Sequence, residues 1–220
     1  MAAFSSAHID ERRLAKQLPA LTGLPLAGDV VVAALRPGMR SPWQGNCIAI
    51  GEAAASLDPL DAMAIHVIHA GLSHLIALFP TTKSSFPEAA AYNRQLRGLL
   101  TGIRDFQAAH YALNRRFDEP LWDAVRDAAP PETLERKSRL FALRGDVPIL
   151  DEEPFDAARW TELFVGHGVV PESYDPRVDL LPDAAHIQRV QQRLRDIATL
   201  VEAMPTVTQF LRGFQTEPAQ

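Results

Sequence analysis

The chain has 220 residues, 47% of them hydrophobic, enough for one large domain or two small ones that bury roughly 70% of the unfolded surface. Its formal charge is -5, from 22 Lys+Arg against 27 Asp+Glu, and no sustained basic block occurs, which argues against nucleic acid as a partner. A single cysteine, Cys47, excludes an internal disulfide and, within the apolar run "NCIAIG", reads as a buried reduced thiol.

Charge enters at once with "IDERR", which leaves no room for the apolar region of a signal peptide. The apolar stretch around residues 65–79 is interrupted by His66, His69, Ser73 and His74 and does not read as a membrane span. The expectation is a cytoplasmic protein without a membrane partner.

In chain order, "IDERRLAKQLPAL" has amphipathic helical spacing, stopped by Pro19 and then Gly23. Residues 30–39, "VVVAALRPGM", predict a strand and turn, and residues 46–51 a second short strand. From Pro59, apolar residues recur at helical steps through Leu60, Ala64, Ile65, Ile68, Leu72, Leu75, Ile76 and Phe79, which predicts a core-facing helix ended by Pro80. Pro87 opens a long helix in which Leu96, Leu99, Leu100, Ile103, Phe106, His110 and Leu113 recur at steps of three and four.

Two shorter helices follow, each opened by proline, and Gly145 closes the second. "DAARWTELFVGHG" predicts another that ends at its glycines, "PDAAHIQRVQQRLRDIATLVEAM" a polar-faced one stopped by Pro205, and "TVTQFLRGF" a last turn or two. The fold class is mainly α with a small β element near the N-terminus. The division expected is residues 1–58 as a β/loop segment, 59–214 as a helical region and 215–220 as a frayed tail.

Candidate chemistry concentrates in "SLDPLDAMAI". Asp58, Pro59 and Asp61 suit a helix start: a capping carboxylate, a proline in the first turn, and an acid where the macrodipole favours one. The same pattern suits an anion held by the amides of residues 62–64 with Asp61 as a base beside it, and both readings stand. His66 and His69 share a helix face, but no HExxH or flanking ligand set accompanies them, so no metal is expected. The chain has no GxGxxG, no GxxxxGK[ST] and no GxSxG. Any catalytic lysine would have to be Lys16, Lys83 or Lys137.

The segments "NCIAIGEAAASLDPLDAMAIHVIHAGLSHLIALFP", "YNRQLRGLLTGIRDFQAAHYALNRRFDEPLW", "GHGVVPESYDP" and "AMPTVTQFL" follow in order the C-terminal part of what this chain resembles, the flavin-dependent tryptophan halogenases. The resemblance implies a partial halogenase/monooxygenase-like fold that lacks the dinucleotide-binding region. In that family, reduced FAD and oxygen turn a bound halide into hypohalous acid, which a lysine delivers to an indole or related aromatic. A glutamate in the family's "EPLESTGI" segment assists the substitution, and the amides of its T-G pair bind halide. Here the segment reads "DPLDAMAI".

By that resemblance Asp61 stands at the catalytic acid position, Met63 and Ala64 supply the halide-binding amides, and Gly51, Glu52 and Ile65 lie beside the flavin. The family's glycine-rich loop, its oxidant-carrying lysine and its "WxWxIP" motif have no counterpart in this sequence. Asp61 is one methylene shorter than glutamate, and Met63 and Ala64 replace threonine and glycine. The resemblance implies a flavin reductase and an aromatic substrate as partners. Alone, the chain is expected to bind FAD weakly or not at all and not to halogenate. The alternative is a stand-alone helical interaction module that pairs with a separate flavin-binding chain, with residues 30–35 and 48–50 as its apolar face. Trp160 is given no substrate role.

Overall fold

The computed structural model describes residues 4–81, 86–149 and 152–215. Two compact units emerge, Met1–Ser173 and Tyr174–Gln220. Of the expected tail at 215–220, residues 216–220 lie outside the described residues, as does Lys83.

The first unit opens with α1 (Glu11–Thr22), capped by the Asp10 carboxylate, which accepts from the amides of Arg12 and Arg13. Pro19 does not stop it. A proline this close to the C-terminus removes only one intrahelical bond, and the helix runs on to Gly23, whose φ of 67° forms the left-handed cap.

Strand structure is smaller than the sequence predicts. β1 (Gly38–Met39) pairs antiparallel with β4 (Ala55–Ser56), and β2 (Trp43–Gln44) with β3 (Cys47–Ile48) across a two-residue turn at Gly45 and Asn46. Residues 30–35 are extended but join no strand, and every residue from 20 to 40 is exposed. In the hairpin, Trp43 faces Ile48 on the packed side and Gln44 faces Cys47 on the other. The two-residue period therefore turns Cys47 outward, and it is exposed rather than buried. Asn93 pins the hairpin by accepting from Trp43 N at 2.8 Å and donating to Trp43 O at 2.9 Å.

The remaining helices are α2 (Ala64–Ala77), α3 (Pro87–Ala112), α4 (Pro120–Asp127), α5 (Glu132–Arg144) and α6 (Ala157–Gly166). α3 touches each of the other four. It buries Tyr92, Leu96, Leu99, Leu100, Ile103, Phe106 and Ala109, and α5 and α6 add Leu134, Phe141, Trp160, Leu163 and Phe164 to the same core. Trp160 is fully enclosed. Its Nε1 donates to Glu153 at 3.1 Å, and Lys137 sits 4.2 Å over its ring while pairing with the same carboxylate. Removing one member of such a buried ion pair costs about 3–5 kcal/mol, so the pair locks α5 and α6 to the segment before α6.

α2 corrects the expectation of a core-facing helix, because only Val67 and Gly71 are buried on it. Ile65, Leu72, Ile76 and Phe79 face outward, Ile76 at 76% exposure, while Ile68 is partly exposed with one side over Gly51. Their spacing is that of a packed stripe, but no described element covers it. By length and composition the segment Leu60–Ala77 could cross a membrane. A kink at Asp61 and Ala62, both at positive φ, interrupts it. The continuous helix has 14 residues, about 21 Å, short of the roughly 30 Å of a bilayer core.

The second unit holds a short turn at Pro176–Leu180, α7 (Asp183–Ala203) and α8 (Val207–Gln215). α7 buries nothing, and Ile187, Val190, Leu194, Ile197 and Val201 form an exposed stripe along it. In α8, Thr206 and Gln209 exchange hydrogen bonds at the first turn.

Gly98 and Gly102 let the 152–154 segment lie directly on α3. A Cβ at Gly102 would stand 2.6 Å from Pro154 Cδ, and one at Gly98 3.0 Å from Glu152 Cβ. Gly102→Ala should therefore destabilise by about 1–3 kcal/mol in urea unfolding, despite alanine's helix propensity. Gly166→Ala, where nothing lies within 4 Å, should leave the midpoint unchanged or raise it.

Candidate functional site

The segment between β4 and α2 is not the regular helix start that its sequence suggests. Leu60–Ala62 form a single tight turn, with φ of 64° at Asp61 and 50° at Ala62, and α2 begins only at Ala64. Two consecutive left-handed residues with side chains cost of order 1–3 kcal/mol each and persist only when their surroundings hold them. The Asp58 carboxylate caps this turn, accepting from Leu60 N at 2.9 Å, so its capping role belongs to the turn and not to α2.

α3 supplies the rest of the restraint. Gln107, buried at 3% exposure, donates from Nε2 to Asp58 O at 2.9 Å and to Leu60 O at 2.6 Å. One turn on, Tyr111 donates to Asp58 Oδ2 at 2.9 Å. Burial and the Asp58 carboxylate push the Tyr111 phenol up to about 12. Gln107, His110 and Tyr111 fall at i, i+3 and i+4 on one face of α3, of which Gln107 and Tyr111 bond to the turn.

His110 is the third member of that face. Its Nδ1 lies 3.3 Å from His167 Nε2, and His167 Nδ1 lies 3.1 Å from Leu113 O. A carbonyl only accepts, so Nδ1 of His167 carries a proton. With His167 neutral, its Nε2 then accepts from Nδ1–H of His110. Burial lowers the His110 pKa below its usual 6.5, with the Asp61 charge opposing and His167 assisting. His167 also terminates α6, and Gly168 beyond it, at φ 77°, offers its carbonyl to Arg115. The Gly-His-Gly run is thus a helix end, as its sequence suggested.

Asp61 is exposed, as are Ala64 and Ile65, while Met63 is half-buried against the core. Met63 and Ala64 stand where α2 begins, at amides that an α-helix leaves without internal acceptors. Met63 and His66 border a groove of about 490 Å³ whose far wall is Phe155, Glu153 and Arg159. Gly51, at φ 62°, is buried under α2, where a Cβ would lie 2.7 Å from Ile68 Cγ1. Glu52 and Ile65 are exposed. The structure thus sets Asp61 in the tight turn and Met63 and Ala64 at the start of α2 that follows it. The sequence reading placed His110 on the helix stripe without a site role and missed Gln107 and Tyr111, which continue the stripe four residues after Ile103 and Gln107.

The profile of the tryptophan halogenase family matches residues 2–183. This chain belongs to the tryptophan halogenase family. It is 26% identical over 190 residues to the tryptophan 7-halogenase RebH of Lentzea aerocolonigenes, across 79% of this chain and 36% of that protein. Among solved structures it is similar to BrvH, a flavin-dependent halogenase from Brevundimonas sp. BAL3, at 36% identity and a TM-score of 0.82, covering 96% of this chain and 43% of that one. A second, Xcc4156 from Xanthomonas campestris, gives 32% identity and a TM-score of 0.82, covering 99% and 44%. This halogenase-like chain spans about a third of the length of the curated relatives it matches, and its helical architecture is part of the halogenase fold.

Two outcomes are expected. Gln107→Leu strands two carbonyls and should cost about 1–3 kcal/mol in urea unfolding, with altered amide shifts at residues 60–64. His110 binds its proton less readily when folded, so its contribution to stability is complete above pH 6.5 and is lost as pH falls through its lowered folded value. His110→Gln should flatten the acid-side decline of the urea midpoint, measured between about pH 5 and 8.

Proposed function

We propose that this chain is the C-terminal portion of an FAD-dependent halogenase that acts on an indole or related aromatic, with Asp61 as its acid–base residue. The observation that carries the reading is the strained 58–62 turn. α3 holds Asp61 in a left-handed conformation beside the first amides of α2, and in this reading Asp61 takes the part of the family's catalytic glutamate. Strain maintained by buried hydrogen bonds is a mark of a site whose geometry matters.

In this reading the chain's own residues do three things. The amides of Met63 and Ala64, at the positive end of α2, hold halide. Asp61 polarises the halogen donor or accepts the ring proton. The groove bordered by Met63, His66 and Phe155 receives the aromatic ring, with Arg159 available to an anionic substituent.

FAD supplies the oxidation of halide in the whole enzyme, reduced by a separate flavin reductase. The residues present fit it as one wall. Glu52 and Ile65 are exposed where a flavin could lie against them, while Gly51 is already filled by Ile68 and serves packing beneath that wall. A single wall without an enclosing side gives weak binding. The alternative, a helical module that pairs with a separate flavin-binding chain, draws on the uncovered stripe of α2.

The isolated chain, given FAD, a flavin reductase, chloride or bromide, and tryptophan or indole, should yield no halogenated product by mass spectrometry. Joined to the remaining part of a family halogenase, it should halogenate, and Asp61→Asn should lower kcat by about 10²-fold or more. Full activity of that variant overturns the role of Asp61. Halogenation by the chain alone overturns its dependence on the rest.

A further inference from the structure

The exposed stripe of α7 has the step of a coiled-coil seam. Ile187, Val190, Leu194, Ile197, Val201 and the cap residue Met204 alternate steps of three and four without a break, which makes about two and a half heptads. Each of them is 46–62% exposed. Gln188, Gln192, Arg195 and Thr199 occupy the opposite face, so the helix has one apolar side and one polar side. The family profile stops at residue 183, where α7 begins, and the seam lies beyond it.

We infer that α7 pairs antiparallel with α7 of a second copy of this chain. In that orientation the layers close: Ile187 meets Met204 of the second copy, Val190 meets Val201, and Leu194 meets Ile197. The charges close in the same register. Residues 189–195 carry Arg189, Arg193 and Arg195 and no acid, residues 196–202 carry Asp196 and Glu202 and no base, and antiparallel pairing sets one run against the other. Arg193 flanks the seam, where its aliphatic stem would cross Leu200 of the second copy with the guanidinium toward Asp196, one turn away. A parallel pair would instead set the arginines of both copies at equal height. Enclosing the two seams removes on the order of 1,000 Å² from water, the low end for a specific interface, so the dimer is weak and concentration-dependent. A lipid surface fits less well, because helices that lie on membranes have a strongly basic polar face, whereas α7 balances its arginines with Asp183, Asp196 and Glu202. The inference makes no use of the role of Asp61.

The test is sedimentation equilibrium of the full chain from about 1 to 500 μM, with reductant present so that the exposed Cys47 forms no bridge. A monomer–dimer equilibrium should appear within that range. Leu194→Asp, which buries a carboxylate in the central layers, should weaken it at least tenfold, and Val190→Leu, which adds apolar surface to the seam, should tighten it. Thr199→Ala, on the opposite face, should leave it unchanged. Arg193→Glu and Asp196→Lys should each weaken it about threefold, and the double variant should recover the original association. Helix content by circular dichroism at the lowest concentration should be the same for all of these variants. A monomer at every concentration overturns the inference, as does self-association that survives Leu194→Asp or that requires phospholipid vesicles. A double variant that fails to recover overturns the antiparallel orientation.

Discussion

Along α3, Tyr92, Leu96, Leu99, Leu100, Ile103, Phe106 and Ala109 leave water together, and α2, α4, α5 and α6 each make contact with that one helix. Burial of this stripe is the interaction that organises residues 4–173. At about 1.5–3 kcal/mol for each large apolar side chain, it is the dominant favourable contribution there. It also sets the orientation of the polar positions that continue the stripe toward the helix C-terminus. Once the leucine stripe fixes the rotation of α3, Gln107 and Tyr111 reach the 58–62 turn and His110 meets His167. A core decision therefore becomes a site geometry, and the strain at Asp61 and Ala62 is sustained by hydrogen bonds whose donors cannot turn away.

Much of the helical fold was legible because its signals are local. Periodicity placed α3, α5, α6 and α7 within a few residues, and proline and glycine punctuation marked their ends at Pro87, Gly145 and Gly168. Three things were not legible, each for a stated reason. Pro19 read as a stop, but near a helix C-terminus it removes too little to end the helix. Cys47 read as buried because its neighbours are apolar, whereas hairpin register decides which side it faces. The stripe of α2 and the valines at 30–32 read as core and strand, since a sequence shows that a face needs covering but not whether the cover belongs to the same compact unit.

At the candidate site, Asp58 and Asp61 were visible as residues, but their geometry was not. The pattern "DPLDA" spells a helix N-terminus, and local rules assign it one. The observed turn departs from those rules at two residues because Gln107, 47 positions from Leu60, supplies the compensating bonds. A local rule overridden by a buried tertiary contact is characteristic of functional segments. Family resemblance pointed to Asp61, Met63 and Ala64, and physical structure adds the helix face that holds them.

The uncovered stripe of α2 and the exposed 20–40 segment belong to a chain that spans about a third of the length of its curated relatives. The most direct measurement is the mass and flavin content of the native assembly that carries this chain in its own cells, recovered with an antibody against residues 183–214. An assembly more than twice the mass of the chain, with bound FAD, is the expected result. A flavin-free monomer of the chain's own mass, with residues 30–35 and the α2 stripe open to solvent in the cell, contradicts it.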